Sequence, residues 1–320
     1  MPLLPETRFR NAWYMRGGHV ETIVPSVWRQ VPLEYTRERI NTPDDDFLDL
    51  DWLRTGNRRL AVITHGLEGS SDRHYVTGTA LALQKQGWDV LAWNCRSCSG
   101  EMNRAQRMYH HGETEDIRQV INHALATQPY ETVALVGYSM GGSISLRYLA
   151  DNVGALPSAV KAAVAVSTPL DLYNSVEQLE RPGRKFYKRR FLNKLKRKMA
   201  LKAEQYPDLI DVNRLPEVNT FVDFDTHFTA RLHGFEDAMD FYAKASVLPH
   251  LPQIDRPILV LSAWNDPMLG EPCYPRELAR QSEFVHLEVV DCGGHCGFWR
   301  PGTLHAYPEL RAAEWLEEVV

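Results

Sequence analysis

The sequence predicts an α/β protein built on a mostly parallel central sheet with helices on both faces. Short apolar runs of strand length alternate with helical stretches over most of the chain, the pattern of strands covered on both sides. The alternation stops between about Leu170 and Val247 and then resumes, so about 75 residues of mainly helical and loop-like sequence interrupt the sheet. A third feature, Gly137-Tyr138-Ser139-Met140-Gly141-Gly142, lies between an apolar run and a helical one. That spacing puts Ser139 on a tight turn at the end of a strand, with its hydroxyl lifted clear of the sheet and beside the free amides of a helix N-terminus.

The elements follow in order. Met1 to about Gln30 reads as an arm with several aromatics and little periodicity. Leu33 to Ile40 and Phe47 to Leu53 read as strands joined by the turn-rich Asn41-Thr42-Pro43-Asp44-Asp45. Leu60 to Thr64 is an apolar strand running into the polar loop His65-Gly66-Leu67-Glu68-Gly69-Ser70-Ser71. A helix is expected from about Tyr75 to Gln86, capped by Gly87, and a strand from Trp88 to Asn94. The long loop Cys95 to Gly112 precedes a helix over about Glu115 to Ala126. Thr132 to Val136 is the strand before Ser139, and Ser143 to Ala150 the helix behind it. Val160 to Ser167 is the next strand, ended by Thr168-Pro169. Beyond the interruption come a strand at Arg256 to Ala263, a helix near Arg276 to Gln281, a last strand at Val285 to Val290 and a closing amphipathic helix from Tyr307. The expected division is an arm at 1–30, a core at 31–169 and 248–320, and a cap insertion at 170–247. Active sites in such sheets lie at the C-terminal ends of the strands, so the insertion is placed to cover one.

Composition narrows the function. With 44% apolar and 24% charged residues the 320-residue chain is an ordinary globular protein. A net charge of −5 does not suggest a nucleic-acid binder. No apolar run approaches the roughly 20 residues that span a bilayer, and the first residues lack the apolar core of a secretory signal. Five cysteines without a regular framework fit free thiols in a reducing compartment, so a cytoplasmic location is expected.

A serine nucleophile needs a base, an acid to orient the base, and donors for the oxyanion. Asp266 follows the strand 256–263, and His295 sits on the Gly-rich loop Asp291-Cys292-Gly293-Gly294-His295 after the last strand. The order Ser139, Asp266, His295 is that of the α/β-hydrolase triad. Asp291 is a weaker candidate acid, because it ends a strand only four residues before His295, and Glu271 is weaker still. The Leu67 and Met140 amides are the expected oxyanion donors. His65 is read as a structural hydrogen-bonding group beneath its loop. No cofactor and no metal are called for. A zinc site drawing on Cys95 and Cys98 with Cys292, His295 and Cys296 would consume His295 as a ligand and leave Ser139 without a base.

The segments His65 to Ser70, Asn94-Cys95-Arg96-Ser97-Cys98-Ser99-Gly100, Tyr109 to Asp116 and Gly137 to Gly142 together resemble the YheT-like branch of the α/β-hydrolases. His19-Val20-Glu21-Thr22-Ile23-Val24-Pro25 is similar to that branch's His-Leu-Gln-Thr segment, and the resemblance runs from about residue 11 to 300. It implies an α/β-hydrolase fold and a carboxylesterase or an acylglycerol and phospholipid lipase, with Ser139, Asp266 and His295 as the triad. A small-molecule or lipid ester is the expected substrate. A thioesterase or acyltransferase would use the same groups, and a non-catalytic ligand-binding relative would need none of them. Two residues depart from the branch: Glu21 stands where Gln is usual, and Ser97 where Gly is usual.

Arg181 to Lys202 holds eleven Lys or Arg residues and no acidic one, with Tyr187, Phe191, Leu195 and Met199 recurring every fourth position. A helix docked on the core by that stripe, its charges solvated, is expected in preference to peripheral contact with anionic lipid. Nucleic acid is not an expected partner, because no recognition motif accompanies the charge.

Overall fold

The computed structural model describes residues 9–320, and Met1 to Arg8 of the expected arm lie outside them. Each of the eight expected strand runs forms a strand: β1 (Thr36–Asn41), β2 (Phe47–Leu53), β3 (Arg59–Thr64), β4 (Asp89–Asn94), β5 (Thr132–Tyr138), β6 (Val160–Val166), β7 (Ile258–Ala263) and β8 (Val285–Val290). They make one sheet in the order β1-β2-β4-β3-β5-β6-β7-β8. Only the β1–β2 and β2–β4 pairs are antiparallel; the remaining pairs are parallel. The central strands are buried along nearly their whole length, which is why they read as continuous apolar runs rather than alternating ones.

Successive side chains divide between the faces. Leu60, Val62, Leu135, Ala163 and Val260 join a cluster with Ile117, Val120 and Ile121 of α3 (Glu115–Thr127) and Ile144 of α4 (Met140–Asp151). Ala61, Ile63, Val136, Val164 and Leu259 join the other with Val76, Ala80 and Leu83 of α2 (His74–Lys85) and Trp315 and Leu316 of α11 (Tyr307–Val319). The arm contains a helix, α1 (Gly18–Trp28), that the sequence pattern did not reveal. Pro25 lies inside it and removes a backbone donor, a feature that argues against a helix when only the sequence is read.

Between β6 and β7 the chain forms α5 (Leu172–Glu180), α6 (Lys185–Gln205), α7 (Phe221–Phe224), a π-helical turn (Asp225–Thr229), α8 (Ala230–His233) and α9 (Ala238–Ala245), and no strand. Leu192, Met199, Phe221, Phe224, Phe228 and Leu232 of this segment are continuous with the core on the α3–α4 side. The short helix α10 (Arg276–Gln281) packs between β7 and β8 in sequence. Register sets the level of the loops that matter: Thr64 pairs with Gly137, and Ala263 with Val290. The loops after β3, β5, β7 and β8 therefore leave the same end of the sheet. No helix among the described residues is long and apolar enough to cross a membrane.

Candidate active site

Ser139 sits between β5 and α4 with φ 53° and ψ −120°. A left-handed φ is strained for a residue with a side chain. The turn is held by the Ser139 N–H donating to the Val166 carbonyl at 2.8 Å. It is possible because a Cβ on Gly137 would strike the Gly141 backbone, and one on Gly141 would strike the Thr64 carbonyl. Both glycines are thus required by close approach.

Ser139 Oγ lies 2.9 Å from His295 Nε2, and His295 Nδ1 lies 2.8 Å from Asp266 Oδ2. A carboxylate only accepts, so Nδ1 carries the proton and Nε2 is free to accept from the serine. The other Asp266 oxygen accepts from the Met268 N–H at 2.8 Å, which fixes the carboxylate. Burial opposes a charge on His295, but the Asp266 carboxylate and Cys296 outweigh it and hold the imidazole pKa well above its ordinary 6.5. Asp291 and Glu271, the weaker candidate acids, are exposed.

The loop after β3 comes up beside the serine, where a Cβ on Gly66 would lie 3.2 Å from the Ser139 Cβ. Among the described residues, no acceptor is bonded to the Leu67 or Met140 amide. His65 is fully buried, with Nδ1 2.8 Å from the Gly66 carbonyl and Nε2 accepting from the Cys95 N–H at 3.1 Å. Burial lowers its pKa to about 4, so it is a neutral strut beneath the loop. Tyr109 supports the next residue: its hydroxyl accepts from the Glu68 N–H at 3.2 Å and donates to the Glu68 carboxylate. That gives the Tyr109 to Asp116 segment a role in holding the loop. Ser97, where Gly is usual, has φ 60°, and its hydroxyl recovers two bonds by pairing with Asn103 at 2.7 and 3.1 Å.

Sequence reasoning missed Glu21 and Thr22 on α1. The Glu21 carboxylate is 1% exposed. Its Oε2 accepts from Asn265 Nδ2 at 2.6 Å and from the Gly293 N–H at 3.0 Å. Thr22 Oγ1 accepts from the His295 N–H at 2.8 Å. One turn of α1 therefore ties together the loop of Asp266 and the loop of His295. A Cβ on Gly294 would strike Thr22, and one on Gly297 would strike the Glu21 carbonyl. The resemblance in His19 to Pro25 was the available signal.

Two cavities meet at Ser139 and His295, sharing Leu67, Phe191 and Met268 as walls. The first is apolar and lies under the helical segment, between Leu172, Val176, Leu179, Phe221, Phe224 and the loops of the sheet. The stripe Phe191, Leu195 and Met199 of α6 faces it. The charges of that helix are only partly solvated. Lys185, Arg189 and Arg197 are exposed, as is Arg181 before it. Lys188 pairs with Glu180 at 2.6 Å and Lys198 with Glu68 at 2.8 Å, while buried Lys202 donates to the Asn103 carbonyl at 2.8 Å.

A doubly covered parallel sheet with a serine on a strained turn after its central strand defines an α/β hydrolase. A family model described as alpha/beta hydrolase fold matches residues 62–301. The chain is 36% identical to the Escherichia coli (strain K12) protein named "Putative esterase YheT", over 94% of this chain and 92% of that one. It is 26% identical to human "Phospholipase ABHD3", over 93% of this chain and 75% of the relative. Among solved structures, the Pyrococcus furiosus esterase Pf2001 superposes with a TM-score of 0.57 at 18% identity, covering 99% of each chain. The chain belongs to the YheT-like branch of the α/β hydrolases.

Proposed function

We propose that this protein is a serine hydrolase of carboxylic esters, acting through an acyl-enzyme. The observation that carries the reading is the hydrogen-bonded line Ser139–His295–Asp266 at the mouth of an apolar cavity. Relatives named esterase and phospholipase support the ester as substrate class, as does one from Saccharomyces cerevisiae named "Monoacylglycerol lipase", 28% identical over 81% of this chain.

In this mechanism His295 Nε2 takes the Ser139 proton as Oγ attacks the ester carbonyl. The tetrahedral oxyanion accepts from the Leu67 and Met140 amides. His295 then gives the proton to the departing alkoxide, leaving the acyl group on Ser139. Water, deprotonated by His295, releases the acid and restores the serine. Asp266 keeps Nδ1 protonated and stabilises the imidazolium. Residues 170–247 act as a cap whose apolar underside receives the acyl chain. All five cysteines are free, as the cytoplasm would keep them.

Hydrolysis of p-nitrophenyl esters from acetate to palmitate, with wild type beside Ser139→Ala, tests the reading. The expected loss is about 10⁴-fold or more in kcat, together with loss of fluorophosphonate labelling. The acid limb of kcat/KM is expected above pH 6.5, since His295 must be neutral to act as base and its pKa is raised. Absence of wild-type turnover and of labelling would overturn the assignment.

A further inference from the structure

We propose that the second cavity at Ser139 is a subsite for a phosphate-bearing leaving group, so that the preferred substrates are acyl esters or thioesters whose departing portion carries a phosphate. The proposal rests on the serine-hydrolase reading and adds what that reading leaves open, the chemistry of the departing half.

Three cations line this cavity: Arg73 from the loop before α2, and Arg190 and Lys194 one turn apart on α6. Among the described residues none of the three forms an ion pair. Glu68 is the one carboxylate in the wall, and it is already engaged by Lys198 at 2.8 Å and by the Tyr109 hydroxyl. Arg73 Nη2 and Lys194 Nζ both donate to the Glu68 carbonyl, at 3.2 and 3.1 Å, so these two cations converge on one oxygen. Burial and the neighbouring Arg73 charge push the Arg190 and Lys194 pKa values down, and for Lys194 they outweigh the opposing pull of Glu68. His74 adds a donor. Its Nδ1 lies 3.2 Å from Arg29 Nη1, an atom that only donates, so the imidazole proton is on Nε2.

The two cavities are complementary in chemistry. An acyl chain fits the apolar one, which offers Leu172, Val176, Leu179 and Phe224. The departing group must lie within reach of His295 Nε2, and His295 walls both cavities. A single carboxylate would leave most of the positive charge uncompensated. A phosphate monoester, carrying close to two charges and three acceptor oxygens, matches two guanidinium groups and an ammonium. Such a group occurs in lysophospholipids that retain a free phosphate and in acyl-coenzyme A, whose leaving thiol carries phosphates.

The test compares kcat/KM for lauroyl lysophosphatidate, lauroyl-coenzyme A and monolauroylglycerol, each below its critical micelle concentration. The enzymes are wild type and the double variant Arg190→Gln/Lys194→Gln. Wild type is expected to favour at least one phosphate-bearing substrate over monolauroylglycerol by about tenfold or more. The double variant is expected to lose most of that ratio, chiefly through KM. Whichever phosphate substrate is favoured identifies the source of the phosphate. A second measurement needs no variant: glycerol 3-phosphate, and not glycerol, should competitively inhibit wild-type hydrolysis of p-nitrophenyl butyrate. Turnover of monolauroylglycerol with no preference for either phosphate substrate and no inhibition by glycerol 3-phosphate would overturn the subsite while leaving the hydrolase standing. No turnover of any ester and no fluorophosphonate labelling would instead remove the hydrolase reading beneath it.

Discussion

Two helical regions outside the strand–helix repeat border Ser139, and they are built in opposite ways. Helix α1 is held by directional bonds to buried polar groups. Glu21 and Thr22 grip the loops of Asp266 and His295, and Arg29 forms a two-pronged ion pair with Glu309 of α11 at 2.5 and 2.8 Å. The segment 170–247 instead meets Ser139 and His295 mainly through apolar side chains, Leu172, Phe191, Phe221 and Phe224, and its polar ties reach Glu68 and Asn103 rather than the loops of Asp266 and His295. Hydrogen bonds have preferred distances and angles, so a polar anchor can fix a loop to a fraction of an ångström. Apolar packing is non-directional and sets volume. The difference assigns positioning to α1 and shaping to the helical segment.

The largest effect should come from breaking the polar anchor. Glu21→Ala leaves the Gly293 amide and the Asn265 side chain without their acceptor, each costing about 1–3 kcal/mol if still buried. The loops of His295 and Asp266 lose their shared tie. A misplacement of about 1 Å in a catalytic group can cost about 100-fold, and a loss of that order in kcat with little change in KM is expected. Glu21→Gln keeps one oxygen where Oε2 stands, so both bonds to it can persist and kcat should stay within about threefold of wild type. Steady-state kinetics on one p-nitrophenyl ester checks both variants. Equal losses in the two would mean that the charge, not the acceptor geometry, is what matters at Glu21.

This contrast also explains what was legible in the sequence. The eight strands could be read because burial on both faces leaves continuous apolar runs. Asp266 and His295 could be read because strand ends and chain order constrain them. Helix α1 could not be read. It carries an interior proline, and its partners lie far along the chain, Glu21 and Gly293 being 272 positions apart. The helices of 170–247 were equally obscure in their boundaries. The π-helical turn Asp225–Thr229 separates two four-residue helices, α7 and α8, so the segment is broken into pieces too short for a pattern of apolar spacing to mark their ends.

That same turn carries Asp225, a carboxylate buried within the segment 170–247, and it gives the next largest effect. Asp225 accepts from the Thr229 hydroxyl at 2.6 Å and the Tyr242 hydroxyl at 2.7 Å, with no cation against it. Burial raises its pKa from 3.8 to about 6, against the pull of those two hydrogen bonds. The folded state then binds a proton that the unfolded state has released, so Asp225 favours folding below about pH 4 and that contribution is lost as the pH rises towards 6. Asp225→Asn cannot ionise. Its thermal midpoint should match wild type near pH 4 and exceed it above pH 6, by an amount corresponding to about 1–3 kcal/mol. A variant that is less stable than wild type at pH 7 would show that the ionised carboxylate is an anchor, and would erase the distinction between the two regions.

The smallest effect sharpens the comparison most. Val176 on α5 is half-buried and lines the apolar cavity with Ser139, but makes no polar contact with the loops that carry Asp266 and His295. Val176→Phe fills space that roughly two methylenes of an acyl chain would occupy, at about 0.8 kcal/mol each. Long-chain p-nitrophenyl esters should therefore lose about tenfold in kcat/KM, while acetate is nearly unaffected and the chain-length optimum moves shorter. A shaping wall discriminates by length, because only a substrate that reaches it is excluded. A positioning element acts on Ser139 and His295 themselves, and so lowers every substrate alike. If Val176→Phe reduced acetate and palmitate equally, α5 would belong with α1 as a support of the loops of Asp266 and His295, and the division of labour between the two regions would fail.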